Sequence, residues 1–327
     1  MIKAAVAGAS GIIGEHMVLH LARHPFFEVV AYGSSRTEPL KDRWMLPQVV
    51  DGLNDIELRP YSIQELADLG VRVVFSALSS PFAEKYELEA VSAGMHVISN
   101  SSPFRLDPEI PLIIPEVNKG IVDKYTSKLI KNPNCTTTGV AIAINALMNY
   151  GIDIKEIYLT TYQSLSGDSS LTAYNSFGNV IPYISGEEEK IVKELKKMTG
   201  IEIPVNVHAA RVNVSAGHME SLFIKTGKVY SKEEVIAALE NLQPVRDLPS
   251  SPSRVIKIFY EKDRPQPILD SWIDQKDRIP GMTVSAGRIN VEQNVIGMFI
   301  LVNNLIRGGA GGSILNGELL HYRNILR

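Results

Sequence analysis

Cys135, the one cysteine in the chain, is the side chain best suited to covalent chemistry. It stands in Lys131-Asn132-Pro133-Asn134-Cys135-Thr136-Thr137-Thr138-Gly139, just ahead of an apolar run over residues 140–148 that reads as a buried helix. Asn134 fits the N-cap of that helix, because its side-chain oxygen can accept from the free amides of the first turn. Cys135 would then lie at the positive end of a helix dipole, a place expected to lower a thiol pKa and raise the thiolate fraction. A lone cysteine is also commonly a small buried hydrophobe, so a nucleophile needs partners. Candidates follow in order along the chain. Gln163 ends a strand-like run in Tyr162-Gln163-Ser164-Leu165-Ser166-Gly167, and Glu187 and Lys190 lie three apart on one side of a helical turn. Arg211 and His218 flank a bend at Ser215-Ala216-Gly217. A guanidinium suits bidentate capture of a carboxylate, and an imidazole can move a proton near neutral pH.

These groups need a scaffold. Residues 2–7 form a short apolar strand, Gly8-Ala9-Ser10-Gly11-Ile12-Ile13-Gly14 a glycine-rich turn, and residues 12–23 a helix. Ala9 stands where the full dinucleotide fingerprint has its first glycine. Gly8 and Gly11 still allow a tight turn and a close approach to a pyrophosphate, and Gly14 allows close helix–strand packing. A second strand over 28–32 ends in Gly33-Ser34-Ser35-Arg36-Thr37. An NAD-preferring turn would carry an acidic residue here for the ribose hydroxyls, whereas two hydroxyls and a guanidinium suit a 2′-phosphate. The expected cofactor is NADP. Further strands over 71–78 and 97–100, separated by a helix opening at Ser79-Ser80-Pro81, set the rhythm of a doubly wound parallel sheet. Arg105 leaves that sheet at a strand's carboxyl end, where it could clamp an anion. His16, His20 and His24, spaced by four, read as partly exposed helix residues, and no metal site is expected.

After about residue 151 the pattern changes. Alternating runs over 156–163, 206–214, 219–225 and 295–302 read as strands of an open sheet, and Ser231-x-x-Glu234 is a capping box opening a helix to about residue 242. A glycine-rich stretch over 303–312 leads to a last helix that returns to the first domain. The fold class expected is α/β: a Rossmann-like parallel-sheet NADP domain, residues 1–134 with 306–327, and a second α+β catalytic and oligomerisation domain, residues 135–305.

A length of 327 residues fits about two domains. A net charge of −3 offers no basic field for nucleic acid and no polybasic patch for membranes, so neither partner is expected. One cysteine forbids an internal disulfide and fits a reducing compartment. Met1 leads straight into a strand with no signal-peptide pattern, and a cytoplasmic location is expected. The open second sheet predicts a partner face, hence a homodimer or homotetramer.

The chain resembles the aspartate-β-semialdehyde dehydrogenase family over nearly its whole length. The resemblance rests on the glycine turn, Ser99-Asn100-Ser101-Ser102-Pro103-Phe104-Arg105, Asn132-Pro133-Asn134-Cys135-Thr136, the Gln163 stretch, Glu187-Glu188-Glu189-Lys190, Arg211 with Gly217-His218, and Asn304-Leu305-Ile306-Arg307-Gly308. It implies NADP-dependent reductive dephosphorylation of L-4-aspartyl phosphate through a cysteine thioester, in aspartate-family amino-acid biosynthesis (lysine, threonine and methionine). By that likeness Cys135 is the nucleophile, His218 the acid/base and Gln163 the group orienting the acyl carbon. Arg211 would hold the substrate α-carboxylate and Glu187 its ammonium, while Arg105, Asn134 and Lys190 would hold phosphate. Cofactor contacts would come from Gly8, Ser10, Gly11, Ile12, Ser34, Ser35, Arg36, Ser79, Ser166, Gly167 and Asn304. Asp168-Ser169 and Asn213 depart from the family pattern, which has small residues and a proline there. The rival readings are an acyl-coenzyme A or N-acetylglutamyl-phosphate reductase, a thiol hydrolase, and a non-catalytic NADP-binding regulator.

Overall fold

The computed structural model describes residues 1–48, 50–167 and 178–326; Asp168 and Ser169 lie outside them. Short apolar runs form a first sheet of five parallel strands: β1 (Ile2–Ala7), β2 (Phe27–Gly33), β3 (Val73–Ser76), β4 (His96–Ser99) and β5 (Leu129–Lys131). Their order is β2-β1-β3-β4-β5. A parallel sheet needs cover on both faces, which explains why β3 and β5 are buried at every residue. The turn at residues 8–11 delivers the chain from β1 into α1 (Ile12–Leu21), and Pro81 sits in the first turn of α2 (Ser80–Ser92).

The mixed second sheet comprises β6 (Ile154–Gln163), β7 (Val180–Ile181), β8 (Val205–Val212), β9 (His218–Thr226), β10 (Ile256–Phe259), β11 (Val284–Glu292) and β12 (Val295–Val302). Their order is β10-β11-β12-β9-β6-β8-β7. On one face it packs against α3 (Cys135–Asn149), α4 (Glu187–Thr199) and α5 (Lys232–Glu240), through a core that includes Ile142, Leu147, Ile191, Leu195, Leu222, Val235 and Ile300. The other face exposes Tyr158 and Phe223. The Ser231/Glu234 capping box is formed as expected. Strands β7, β10 and β11 have no counterpart in the sequence reading: β7 and β10 are only two and four residues long, and in β11 Ser285, Ala286, Gly287 and Arg288 dilute the apolar alternation on which strand recognition depends. The last helix, α6 (Ala310–Tyr322), packs with Ile314 and Leu315 among Val6, Phe75 and Ile98 of the first sheet.

Of the three histidines spaced by four, His20 is half-buried as expected, His24 falls beyond the end of α1, and the exposure of His16 and His24 needs correcting. His16 and His24 are buried, because α1 is sandwiched between the first sheet and the chain's closing segments. His16 stacks on His20 and tilts against Trp272, and His24 meets Glu318 of α6 at 2.9 Å.

Candidate active site

Register brings the chemistry together. Strand β6 lies between β8 and β9, with Arg211 opposite Gln163 and Met219 opposite Tyr162, so Gln163, Arg211 and His218 all lie along the sheet edge made by the strand ends. Helix α3 begins at that same edge. Asn134 caps it as its sequence predicts, its Oδ1 accepting from the amides of Thr136 and Thr137 at 2.9 and 3.2 Å. The helix is anchored by fully buried Ile142, Ile144 and Leu147, each worth roughly 1.5–3 kcal/mol of burial. A well-anchored helix start holds its first residue in place. The Cys135 Sγ lies 3.2 Å from Nε2 of His218.

The expected low thiol pKa is not found. Cys135 keeps a partly exposed surface, yet burial pushes its thiol up to about 12, with the Glu187 carboxylate acting in the same direction. Arg105, the Thr136 amide and Arg211 pull it back only in part. His218 also departs from its expected near-neutral range: burial first, and Arg211 second, push it down to about 3. Both partners therefore rest neutral at pH 7.

Around this pair the predicted residues converge. Glu187 accepts from the side-chain amides of Asn134 (2.8 Å) and Gln163 (3.0 Å), so two predicted residues share the carboxylate of a third. Arg211 donates to the carbonyl of Ser164 at 2.8 Å and is buried. Lys190 sits one turn beyond Glu187 on α4, partly exposed. Arg105 is buried, donating to Glu194 at 3.1 Å and to the carbonyl of Asn100 at 2.6 Å, while its Nε has no partner among the described residues.

Asn304 Oδ1 accepts from the amide of Gly217 at 2.9 Å and from the hydroxyl of Ser164 at 3.2 Å, and its Nδ2 donates to Ser166 at 2.9 Å. Gly167 has room for no side chain: a Cβ there would lie 2.8 Å from Arg211 Nη1 and 3.1 Å from His218 Cε1.

Glu194 was missed by the sequence reading. Its Oε1 pairs with Arg105 and its Oε2 accepts the amide of Asn134 at 2.6 Å. Lys197, three residues on, donates to the carbonyls of Arg105, Asp107 and Ile110. One stripe of α4, at positions 187, 194 and 197, thus holds the cap of α3 and the Arg105 loop. The spacing of seven between Glu187 and Glu194 was the available signal.

The cofactor residues form a second group. A cavity of about 620 Å³ is lined by Gly8, Ser10, Gly11, Ser34, Ser35 and Ser79, with Tyr61 and Phe82 on its walls. Its backbone is built for close approach. Gly8 has φ +81°, and a Cβ on Gly14 would fall 2.0 Å from the Gly8 carbonyl. The hydroxyls of Ser34 and Ser10 meet at 3.3 Å, and Arg36 is exposed beside them. Ile12 opens α1. A glycine seam joins this region to the thiol. A Cβ on Gly308 would fall 2.6 Å from Cys135 Cβ, and one on Gly309 would fall 2.9 Å from Ile13 Cδ1. Arg307, just before the seam, is held by Glu116 at 2.5 Å.

A parallel sheet with a glycine turn, joined to a mixed sheet whose strand ends converge on a thiol and an imidazole, defines a two-domain dehydrogenase of the cysteine type. Comparison with known proteins narrows the class. Residues 3–125 match the semialdehyde dehydrogenase NAD binding domain, and residues 144–307 match the semialdehyde dehydrogenase dimerisation domain. Aspartate-semialdehyde dehydrogenase of Archaeoglobus fulgidus is 34% identical, with 98% of each chain covered. That of Saccharomyces cerevisiae is 31% identical, covering 99% of this chain and 98% of its own. Among solved structures, the Candida albicans aspartate semialdehyde dehydrogenase with NADP superposes with a TM-score of 0.84 at 29% identity, covering 99% of both chains. The chain belongs to the aspartate-semialdehyde dehydrogenase family. No helix among the described residues is long and apolar enough to cross a membrane.

Proposed function

We propose that the chain reduces L-4-aspartyl phosphate to L-aspartate 4-semialdehyde with NADPH, reversibly and with release of phosphate, through a thioester on Cys135. The observation that carries this reading is the Cys135–His218 contact of 3.2 Å at a helix start ringed by Gln163, Glu187 and Arg211. Covalent catalysis splits one difficult step into two easier ones. Cys135 Sγ bonds to the acyl carbon and phosphate leaves. Arg105 and Lys190 stabilise the departing charge, with Asn134 beside them. Arg211 holds the α-carboxylate, Glu187 the ammonium, and Gln163 the acyl group. His218 gives a proton to the oxygen of the tetrahedral species and in the reverse direction removes it.

The glycine turn fits a dinucleotide, because its crowded glycines and the free amides of α1 suit a pyrophosphate. NADPH, when bound, supplies the hydride. Ser10, Ser34, Ser35 and Arg36 would take its 2′-phosphate end. Gly8, Gly11 and Ile12 would take the pyrophosphate, and Ser79, Ser166, Gly167 and Asn304 the nicotinamide side. The domain division we adopt is 1–134 with 306–327 for the cofactor and 135–305 for catalysis and association, supported by the packing of α6 on the first sheet. The exposed sheet face bearing Tyr158 and Phe223 supports a homodimer or homotetramer. The enzyme would serve aspartate-family amino-acid biosynthesis in the cytoplasm.

The test is NADP reduction with aspartate semialdehyde, with and without phosphate and with and without prior thiol alkylation. Phosphate-dependent activity abolished by alkylation is expected. Activity that persists after complete alkylation of Cys135, or that requires coenzyme A in place of phosphate, overturns the reading.

A further inference from the structure

A charged pair lies inside the first domain, where the sheet meets its covering helix. Ser76, Ser99 and Lys131 are the last residues of β3, β4 and β5, and register sets them side by side at the carboxyl ends of the strands. Lys131 has no accessible surface, and neither has Glu87 of α2. Lysine is almost never fully buried unless it is paired, and this one is paired completely. Its Nζ donates to Glu87 Oε2 at 2.5 Å, to Ser99 Oγ at 2.8 Å and to Ser101 Oγ at 2.9 Å, which uses all three ammonium hydrogens. Glu87 Oε1 accepts from the hydroxyls of Ser76 at 2.8 Å, Ser99 at 2.6 Å and Ser101 at 3.0 Å. The ring of Phe104 lies over the ammonium, its centroid 5.9 Å from Nζ. A buried polar network whose members are all satisfied is rigid and specifies one arrangement of the segments it joins.

We propose that Lys131 and Glu87 are positioning residues, a buried ion pair that places the guanidinium of Arg105 relative to the sulfur of Cys135. The inference deepens the dehydrogenase reading above and rests on its assignment of Arg105 to phosphate. The path between the groups is short. Arg105 Nη2 donates to the carbonyl of Asn100 at 2.6 Å. Asn100 stands between Ser99 and Ser101, and both of these hydrogen-bond to Lys131 and to Glu87. Phe104, the residue before Arg105, packs on the same ammonium. Lys131 thus grips the phosphate loop at its start and near its end. It does so from the strand that runs on into the cysteine helix, four residues ahead of Cys135. Its neighbour Asn132 adds a further tie, donating to Asn100 Oδ1 at 3.0 Å. Glu194 secures Arg105 from α4, and the pair secures it from the first sheet. The action is geometric. Ammonium and carboxylate cancel in charge, and neither has surface through which a substrate could touch it. Without the ammonium, the hydroxyls of Ser99 and Ser101 lose their common donor, and the carbonyl that orients Arg105 is no longer fixed from both sides.

Two variants of the intact enzyme test this. The paired variant Glu87→Gln/Lys131→Met removes both charges together, which avoids leaving one charge buried alone, and its glutamine oxygen can still accept from the serines. Ser101→Ala keeps the ion pair and cuts one of its links to the loop. Both are assayed in the oxidative direction with aspartate semialdehyde, NADP and phosphate. A misplacement of about 1 Å can cost about 10²-fold, so each variant should lose about 5–100-fold in kcat/KM for phosphate. The KM for aspartate semialdehyde and the Kd for NADPH, read by its fluorescence, should stay within about twofold of wild type. A merely structural role would lower these together. A phosphate loss below about fivefold in either folded variant, or equal losses for the other two ligands, overturns the proposal. If the paired variant does not fold, Ser101→Ala decides alone. Crystal structures of wild type and Ser101→Ala read the geometry without turnover: the Arg105 guanidinium should move off the Asn100 carbonyl, and a contact kept at 2.6 Å overturns the proposal. A wild type without phosphate-dependent activity would remove the dehydrogenase reading, whereas such activity with an unmoved Arg105 would remove this inference alone.

Discussion

Replacing Glu194 by glutamine removes a charge while keeping the size and shape of a side chain that touches both halves of the site. In the native protein Oε1 faces the Arg105 guanidinium and Oε2 faces the Asn134 amide, so both oxygens receive donors. A glutamine has one oxygen. Whichever way its amide turns, an NH₂ group meets a donor, either Arg105 or the backbone at the start of the cysteine helix. A charge-assisted hydrogen bond contributes about 1.5–3 kcal/mol, and a buried donor left unpaired costs about 1–3 kcal/mol. Partial relaxation offsets some of this, so Glu194→Gln should destabilise the enzyme by about 2–4 kcal/mol, read as a lower urea midpoint at unchanged slope. With the NH₂ turned to Arg105, that side chain would keep its Asn100 contact and lose its other anchor; with it turned to Asn134, the start of the cysteine helix would lose its own. The kcat/KM for phosphate in the oxidative direction should then fall about 10–100-fold, equivalent to about 1.4–2.8 kcal/mol. A variant within about 0.5 kcal/mol of wild type and within twofold in phosphate kinetics would refute the view that this carboxylate ties the phosphate arginine to the nucleophile's helix.

Cys135 in the free enzyme should alkylate with iodoacetamide at a rate rising about tenfold per pH unit from pH 7 to 10, because burial pushes the thiol up to about 12; a plateau below pH 8 would contradict that. By linkage, the raised folded pKa contributes stability that is intact below about pH 9 and lost as pH rises towards 12. Glu220 is fully buried on β9 with both oxygens unpartnered among the described residues, and burial raises its carboxyl well above the usual range. Its contribution is intact below pH 4.5 and lost as pH rises, so Glu220→Gln should match wild type near pH 4 and exceed it at pH 8 in urea midpoint, by about 1.4 kcal/mol per pH unit crossed up to the folded pKa. Equal stability at pH 8 would show that the carboxyl has found a partner. Gly308→Ala would drive a methyl to 2.6 Å from Cys135 Cβ and 2.7 Å from its Cα, neither of which can swing aside. A displacement approaching 1 Å can cost about 10²-fold in rate, and a kcat within threefold of wild type would show the seam to be compliant.

Local chemistry was legible in the sequence and long-range placement was not. The Asn134 cap, the Ser231 box, the glycine turn and the strand runs are each decided by neighbours a few residues apart, and each formed where its residues implied. Glu194 escaped because its partners, Arg105 and the Asn134 amide, are 89 and 60 residues away, and on its own helix it looks like one more charge in a charged stretch.

The pKa of Cys135 shows the same division in energetic form. The helix start does favour the thiolate, and the Thr136 amide is among the groups that lower the pKa. That help is worth at most about 1–2 kcal/mol and decays within a turn. Desolvation depends on every element packed around the sulfur, opposes ionisation, and is here the largest of the effects on the thiol. A neutral thiol beside a neutral imidazole is what these opposing effects leave.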